Sequence, residues 1–165
     1  MSIKNLQDLM MEELRDMYHA ENQLVKALPK MAKAASTPAL KEAFERHLQQ
    51  TQNQVSRIET IFDELGGDPR GKQCEGMEGI VSEGAEVLEE EGPGGVIDAA
   101  LIAAAQRVEH YEIATYGCIR SYANLLGLSD IAKLVDQSLE EEEAADHLLS
   151  ELAETEVNTM ALEGR

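Results

Sequence analysis

The chain has 165 residues, 43% of them hydrophobic, only 4% aromatic and none Trp. That length suits one domain, 1–165, with a real core, and the bias to Ala, Leu and Glu favours packed helices over a β-sandwich. A formal charge of -18 with no basic arm makes nucleic acid and anionic membrane poor partners.

The first helix is predicted over about 3–35, amphipathic and acidic, with Pro29 kinking or loosening its end. It lacks both the apolar h-region of a signal peptide and the ~18-residue apolar run of a membrane span, so a cytoplasmic protein is expected. Ser36-Thr37-Pro38 ends this helix and starts the next, 38–65, with Thr37 as N-cap and Pro38 as its first residue. Gly66-Gly67-Asp68-Pro69 then opens a long crossover that contains a shorter helical stretch, about 75–90. Gly92-Pro93-Gly94-Gly95 precedes the third long helix, 96–126. Gly127 separates it from the last, 129–157, for which Ser129 is the expected cap. Short joints force two antiparallel hairpins, and the crossover between them gives an all-α, ferritin-like four-helix bundle. Cys74 and Cys118 have no CxxC spacing and are expected to stay thiols in a reducing compartment.

Steps of three and four trace one apolar seam per helix, and each seam turns polar near the helix midpoint. On the first helix the sequence Leu14, Met17, Leu24, Leu28 is broken by Glu21. On the second, Leu40, Phe44, Ile58, Ile61 is broken by His47, Thr51 and Gln54. The third is traced through Leu101, Ala105, Val108, Glu112, Thr115, Ile119 and Tyr122, with Glu109 on the same face. The fourth runs Ala132, Val135, Leu139, Glu142, Asp146, Leu149. Midpoints of antiparallel hairpins lie level, so these residues are predicted to form one polar layer across the core.

Five carboxylates in an apolar core need neutralising, because an unpaired buried charge costs several kcal/mol. No Lys or Arg lies on the seams, which leaves protonation or metal cations. Clustered oxygen donors with one imidazole suit iron or manganese better than a thiolate zinc site, and two divalent ions would cancel most of the charge. The candidate ligands are Glu21, His47, Glu109, Glu112, Glu142 and Asp146, with Gln50, Thr51 and Gln54 as supporting hydrogen-bonders. His19, His110 and His147 fall off these faces, and Tyr111 and Tyr116 flank the layer.

Five segments carry a resemblance: Ala20-Glu21-Asn22-Gln23-Leu24; His47 through Arg57; Cys74 through Gly79; Asp98 through Tyr116, with its Val108-Glu109-His110-Tyr111-Glu112 core; and Leu139 through Glu142 with Asp146. The chain thereby resembles the YciF/YciE-type stress proteins, a ferritin-like branch related to rubrerythrin. The resemblance implies a dinuclear iron site with Glu21, Glu109, Glu112 and Glu142 as ligands, and a homodimer. One departure stands out: such proteins usually carry an acid near position 49 or 50, where this chain has Gln49 and Gln50. Three functions remain open: a di-iron protein with dioxygen- or peroxide-linked oxidoreductase activity, a bundle whose metal is structural, and a metal-free interaction module.

Overall fold

The first helix, α1 (Leu6–Ala34), begins where Asn5 in an extended conformation accepts the Asp8 amide on its side chain at 2.8 Å. The computed structural model describes residues 3–165. Pro29 does not end α1; it is exposed, and the helix continues to Ala34. α2 (Pro38–Leu65) starts on its proline as predicted, but the Thr37 hydroxyl makes no capping bond. The cap comes from another helix: the buried Asp98 carboxylate accepts the amides of Ser36 at 2.7 Å and Thr37 at 2.8 Å. Its negative charge there also complements the helix dipole. Gly66 closes α2 at a φ of 77°, a conformation that strains any side chain.

α3 (Glu75–Val87) occupies the crossover, and α4 (Gly94–Leu125) and α5 (Ser129–Leu152) form the second hairpin. Leu128, not Ser129, takes the N-cap position of α5, without a side-chain cap bond. Helical structure also runs past the predicted 157, through a π-helical turn (Ala153–Val157) into α6 (Asn158–Leu162). The wider turn changes the helix phase, and Val157 is fully buried in it.

α1 packs on α2 and α4 on α5, and contacts of α2 with α5 and α1 with α4 close the square. α3 lies on α1 and α4. The fold is an all-α bundle of two hairpins and a helical crossover, and the described residues contain no strand. Leu14, Met17 and Leu24 of α1, Leu40, Ile58 and Ile61 of α2, and Leu101 and Ile119 of α4 are buried to within 1%. Each such side chain contributes about 1.5–3 kcal/mol by leaving water, which makes the core a firm frame for polar groups at its centre.

The crossover helix is fastened by a small polar cluster. The Tyr111 hydroxyl donates to Asp16 at 2.7 Å and lies 3.1 Å from the Cys74 Sγ. The Cys74 amide donates to His19 Nδ1 at 3.0 Å. Burial and the Asp16 hydrogen bond push the Cys74 thiol pKa up, which keeps it an inert thiol. Room for Tyr111 comes from Gly76, where a Cβ would lie 2.9 Å from the ring. Gly76→Ala should therefore lower stability by about 1–2 kcal/mol, because displacing a doubly bonded ring outweighs the ~1 kcal/mol helix-propensity gain. Gly79→Ala meets nothing within 4 Å. It should raise stability by about 0.5–1 kcal/mol, and equal effects of both variants in urea melts would contradict this packing.

Candidate metal centre

Each helix delivers its polar residue by the periodicity that builds its apolar stripe. Glu21 falls between the buried Met17 and Leu24, and His47 follows Phe44 by three. Glu109 and Glu112 lie one turn apart on α4, and Glu142 follows Leu139 on α5. The layer is deep: Glu21, Glu112 and Glu142 are 0% exposed, Glu109 2% and His47 5%. Ligand atoms of His47, Glu109, Glu112 and Glu142 all lie within 4.8 Å of one another, all supplied by a single chain. His47 Nε2 is 3.2 Å from Glu109 Oε1 and 3.6 Å from Glu142 Oε2.

The donor atoms of this group are poorly satisfied by the protein. Both Glu112 oxygens, Glu21 Oε2, Glu109 Oε2, Glu142 Oε2 and both His47 nitrogens have no hydrogen-bond partner. Buried polar atoms are normally paired, so a set of orphans converging on one point marks a place for a ligand. Their electrostatics agree. Burial, then the Glu142 charge, raises the Glu21 pKa well above the ordinary carboxylate value, against the Tyr116 hydrogen bond that lowers it. Burial is also the first cause for Glu109 and Glu112, reinforced in both by the Glu142 charge. Glu109 and Glu112 thus lie in a layer of like charges, with the ligand atoms of Glu109, Glu112 and Glu142 within 4.8 Å of one another. Buried carboxylate oxygens with one imidazole at this spacing could hold a metal ion.

Groups around the layer hold it in place. Gln54 Nε2 donates a short hydrogen bond to Glu142 and another, at 3.0 Å, to Glu141 Oε2. Glu141 is gripped by Arg57 through a two-pronged pair at 2.6 and 2.7 Å. Tyr116, fully buried, gives its hydroxyl to Glu21 Oε1 in a second short bond. The chain Arg57–Glu141–Gln54–Glu142 thus runs from the bundle rim to the centre.

Of the residues singled out by sequence, Glu21, His47, Glu109, Glu112 and Glu142 come together, with Glu21 beside the group of four rather than within it. Asp146 does not join them. It is partly exposed, and its oxygens are taken by Gln106 at 3.1 Å and His110 at 3.2 Å on the outer side of α4 and α5. Thr51 is buried but donates to the His47 carbonyl of its own helix, and Gln50 is only partly buried. Thr115 likewise bonds the Tyr111 carbonyl. The inward stripe of α4 runs Glu112–Tyr116–Ile119–Ala123, so Tyr116 replaces the expected Thr115 and Ala123 replaces Tyr122. Steps of three and four serve either path equally. Only the buried hydroxyl partner of Glu21 distinguishes them. Arg57 was legible only as a lone basic residue one turn from Gln54.

Comparison with known proteins places this geometry in a family. A family model described as "Domain of unknown function (DUF892)" matches residues 5–162. Protein YciF of Escherichia coli (strain K12) is 44% identical over 162 residues, 98% of both chains. The crystal structure of that stress protein superposes with a TM-score of 0.90, covering 94% of this chain and 99% of the other. YcfI from Rhodopseudomonas palustris is 41% identical with a TM-score of 0.87, covering 90% and 95%. A protein of Xanthomonas campestris pv. campestris, at 20% identity, shares the fold with a TM-score of 0.77 over 96% and 97% of the two chains. Among the described residues no helix is long and apolar enough to cross a membrane, and both cysteines are free. A match over nearly the whole chain, in sequence and in fold, means that the chain belongs to the YciF-type DUF892 family.

Proposed function

We propose that the buried group holds two first-row metal ions, iron by preference with manganese as the substitute, and that the protein serves a stress response by reacting with dioxygen or peroxide. The observation that carries this reading is the convergence of four buried donor residues within 4.8 Å with most of their oxygens unpartnered. Four fully or nearly buried glutamates, Glu21, Glu109, Glu112 and Glu142, balance the charge of two divalent cations. His47, Glu109, Glu112 and Glu142 would hold the metal, with Glu21 beside them as a further carboxylate. Bound iron would supply one-electron chemistry toward an oxygen substrate.

The protein's own part is placement. Gln54 fixes the Glu142 carboxylate and is itself fixed by Glu141 and Arg57, while Tyr116 fixes Glu21. The apolar walls exclude bulk water, which strengthens every electrostatic contact inside. The test is anaerobic loading with ferrous ion followed by substoichiometric hydrogen peroxide. Each peroxide should oxidise about two irons, taking two protons and leaving two waters. α2 supplies no carboxylate to the layer, only His47 and neutral amides, which disfavours the ferric state and supports a structural metal as the second reading. Iron that stays bound and ferrous under peroxide would establish that second reading.

A further inference from the structure

A cavity of about 260 Å³ lies against one end of the polar layer, between α2 and α5. His47 and Glu109 line it; Glu21, Glu112 and Glu142 do not. Phe44, Leu148 and Leu149 give it an apolar wall, and the exposed Arg46 and Ala144 mark its mouth. Its volume is far beyond what an oxygen molecule or hydrogen peroxide needs. A water molecule takes about 30 Å³ in the liquid, and an apolar cavity of about 150 Å³ accepts benzene. A combination of one apolar wall and a few convergent polar groups is the usual make-up of a small-molecule site.

The polar end is also incomplete. His47 is 5% exposed, and its Nε2 points at Glu109 and Glu142. Its Nδ1 has no partner on the protein, and neither has Glu109 Oε2. A ring nitrogen opposite a ligating one normally has an oxygen partner that fixes the imidazole. Both side chains line the inner end of the cavity, so an oxygen brought in there would meet His47 and Glu109.

We propose that this cavity binds a small amphipathic molecule, an aromatic or branched-alkyl hydroperoxide or the corresponding alcohol, with its body against Phe44 and Leu148 and its oxygen at His47 and Glu109. The choice of an oxygen head group rests on the metal-centre reading above; the apolar body rests on the cavity alone. Ala145, on the α5 side, is a small residue of the cavity lining, so a larger side chain there would take up its space.

The test uses metal-free, isotope-labelled full-length protein titrated with 2-phenyl-2-propanol and followed by amide NMR shifts. Saturable shifts are expected around Ala43, Phe44 and Leu148. Ala145→Phe should weaken binding by about tenfold or more, since it fills the space taken by the ligand body. If that variant does not fold, Ala145→Met fills the same opening with a flexible chain and should weaken binding in the same direction. Shifts that never saturate, shifts confined to the small apolar cleft of Leu24, Met31 and Ile80, or unchanged affinity in a folded Ala145 variant would each overturn the proposal. Because the protein is metal-free throughout, alcohol binding without any later iron uptake would defeat the di-iron reading and leave the cavity assignment standing.

Discussion

Glu112→Gln should lower metal retention and raise the melting temperature of the metal-free protein, two effects of opposite sign from one change. Glu112 is fully buried, and neither of its oxygens has a protein partner. Losing its charge removes a ligand, so affinity should fall by at least the 10–100-fold that loss of an outer partner costs. Without metal the same carboxylate is an uncompensated acid facing Glu21, Glu109 and Glu142. An amide of the same shape can donate to Glu21, and relieving the buried acid is worth about 1–3 kcal/mol. In a chain of this length each kcal/mol moves the melting temperature by roughly 2–4 °C. Calorimetry of both forms with metal analysis reads the two effects, and a variant that matches the parent in both would place Glu112 outside any ligand role.

The metal-free protein should lose stability as pH rises from 5 to 8, while metal affinity climbs over the same range. Folding raises the pKa values of Glu21, Glu109 and Glu112 well above 4.5, with burial as the first cause in each. The unfolded chain releases those protons near pH 4.3. Between the unfolded and folded values the native state therefore binds more protons, and stability falls with increasing pH. A cation displaces the same protons, so binding strengthens as they become easier to remove. General repulsion from the -18 net charge acts on both forms, which makes the difference between their melting curves the informative quantity. That difference should widen with pH; parallel curves would mean that protons and metal do not compete for one site.

How much of this was readable beforehand depends on which physics set each feature. The helices followed from Gly and Pro breakers and from apolar steps of three and four, so α2 began on Pro38 as expected. The depth of Glu21, Glu112 and Glu142 followed from their place inside otherwise apolar stripes. What failed was choice of phase within one helix. Asp146 sits four after Glu142, a step that periodicity places on the same face, but Gln106 and His110 of α4 hold its carboxylate outward. Tyr116 against Thr115 is the same ambiguity on α4. Contacts between helices were the least legible: nothing local marks Asp98 as the cap of α2, or Arg57 as the anchor of Glu141 and Gln54. Such partners lie more than sixty residues apart and are fixed by packing, not by pattern.

The most direct measurement is the amount of metal this chain binds at a buried site. Chelator-stripped protein, dialysed to equilibrium against ferrous ion without oxygen, should retain about two ions per chain by elemental analysis. Uptake should be lost or halved in Glu112→Gln, and manganese should compete for the same places. Folded protein that retains no metal at saturating ferrous and manganous ion would contradict the account and leave the polar layer as a protonated element of a metal-free bundle.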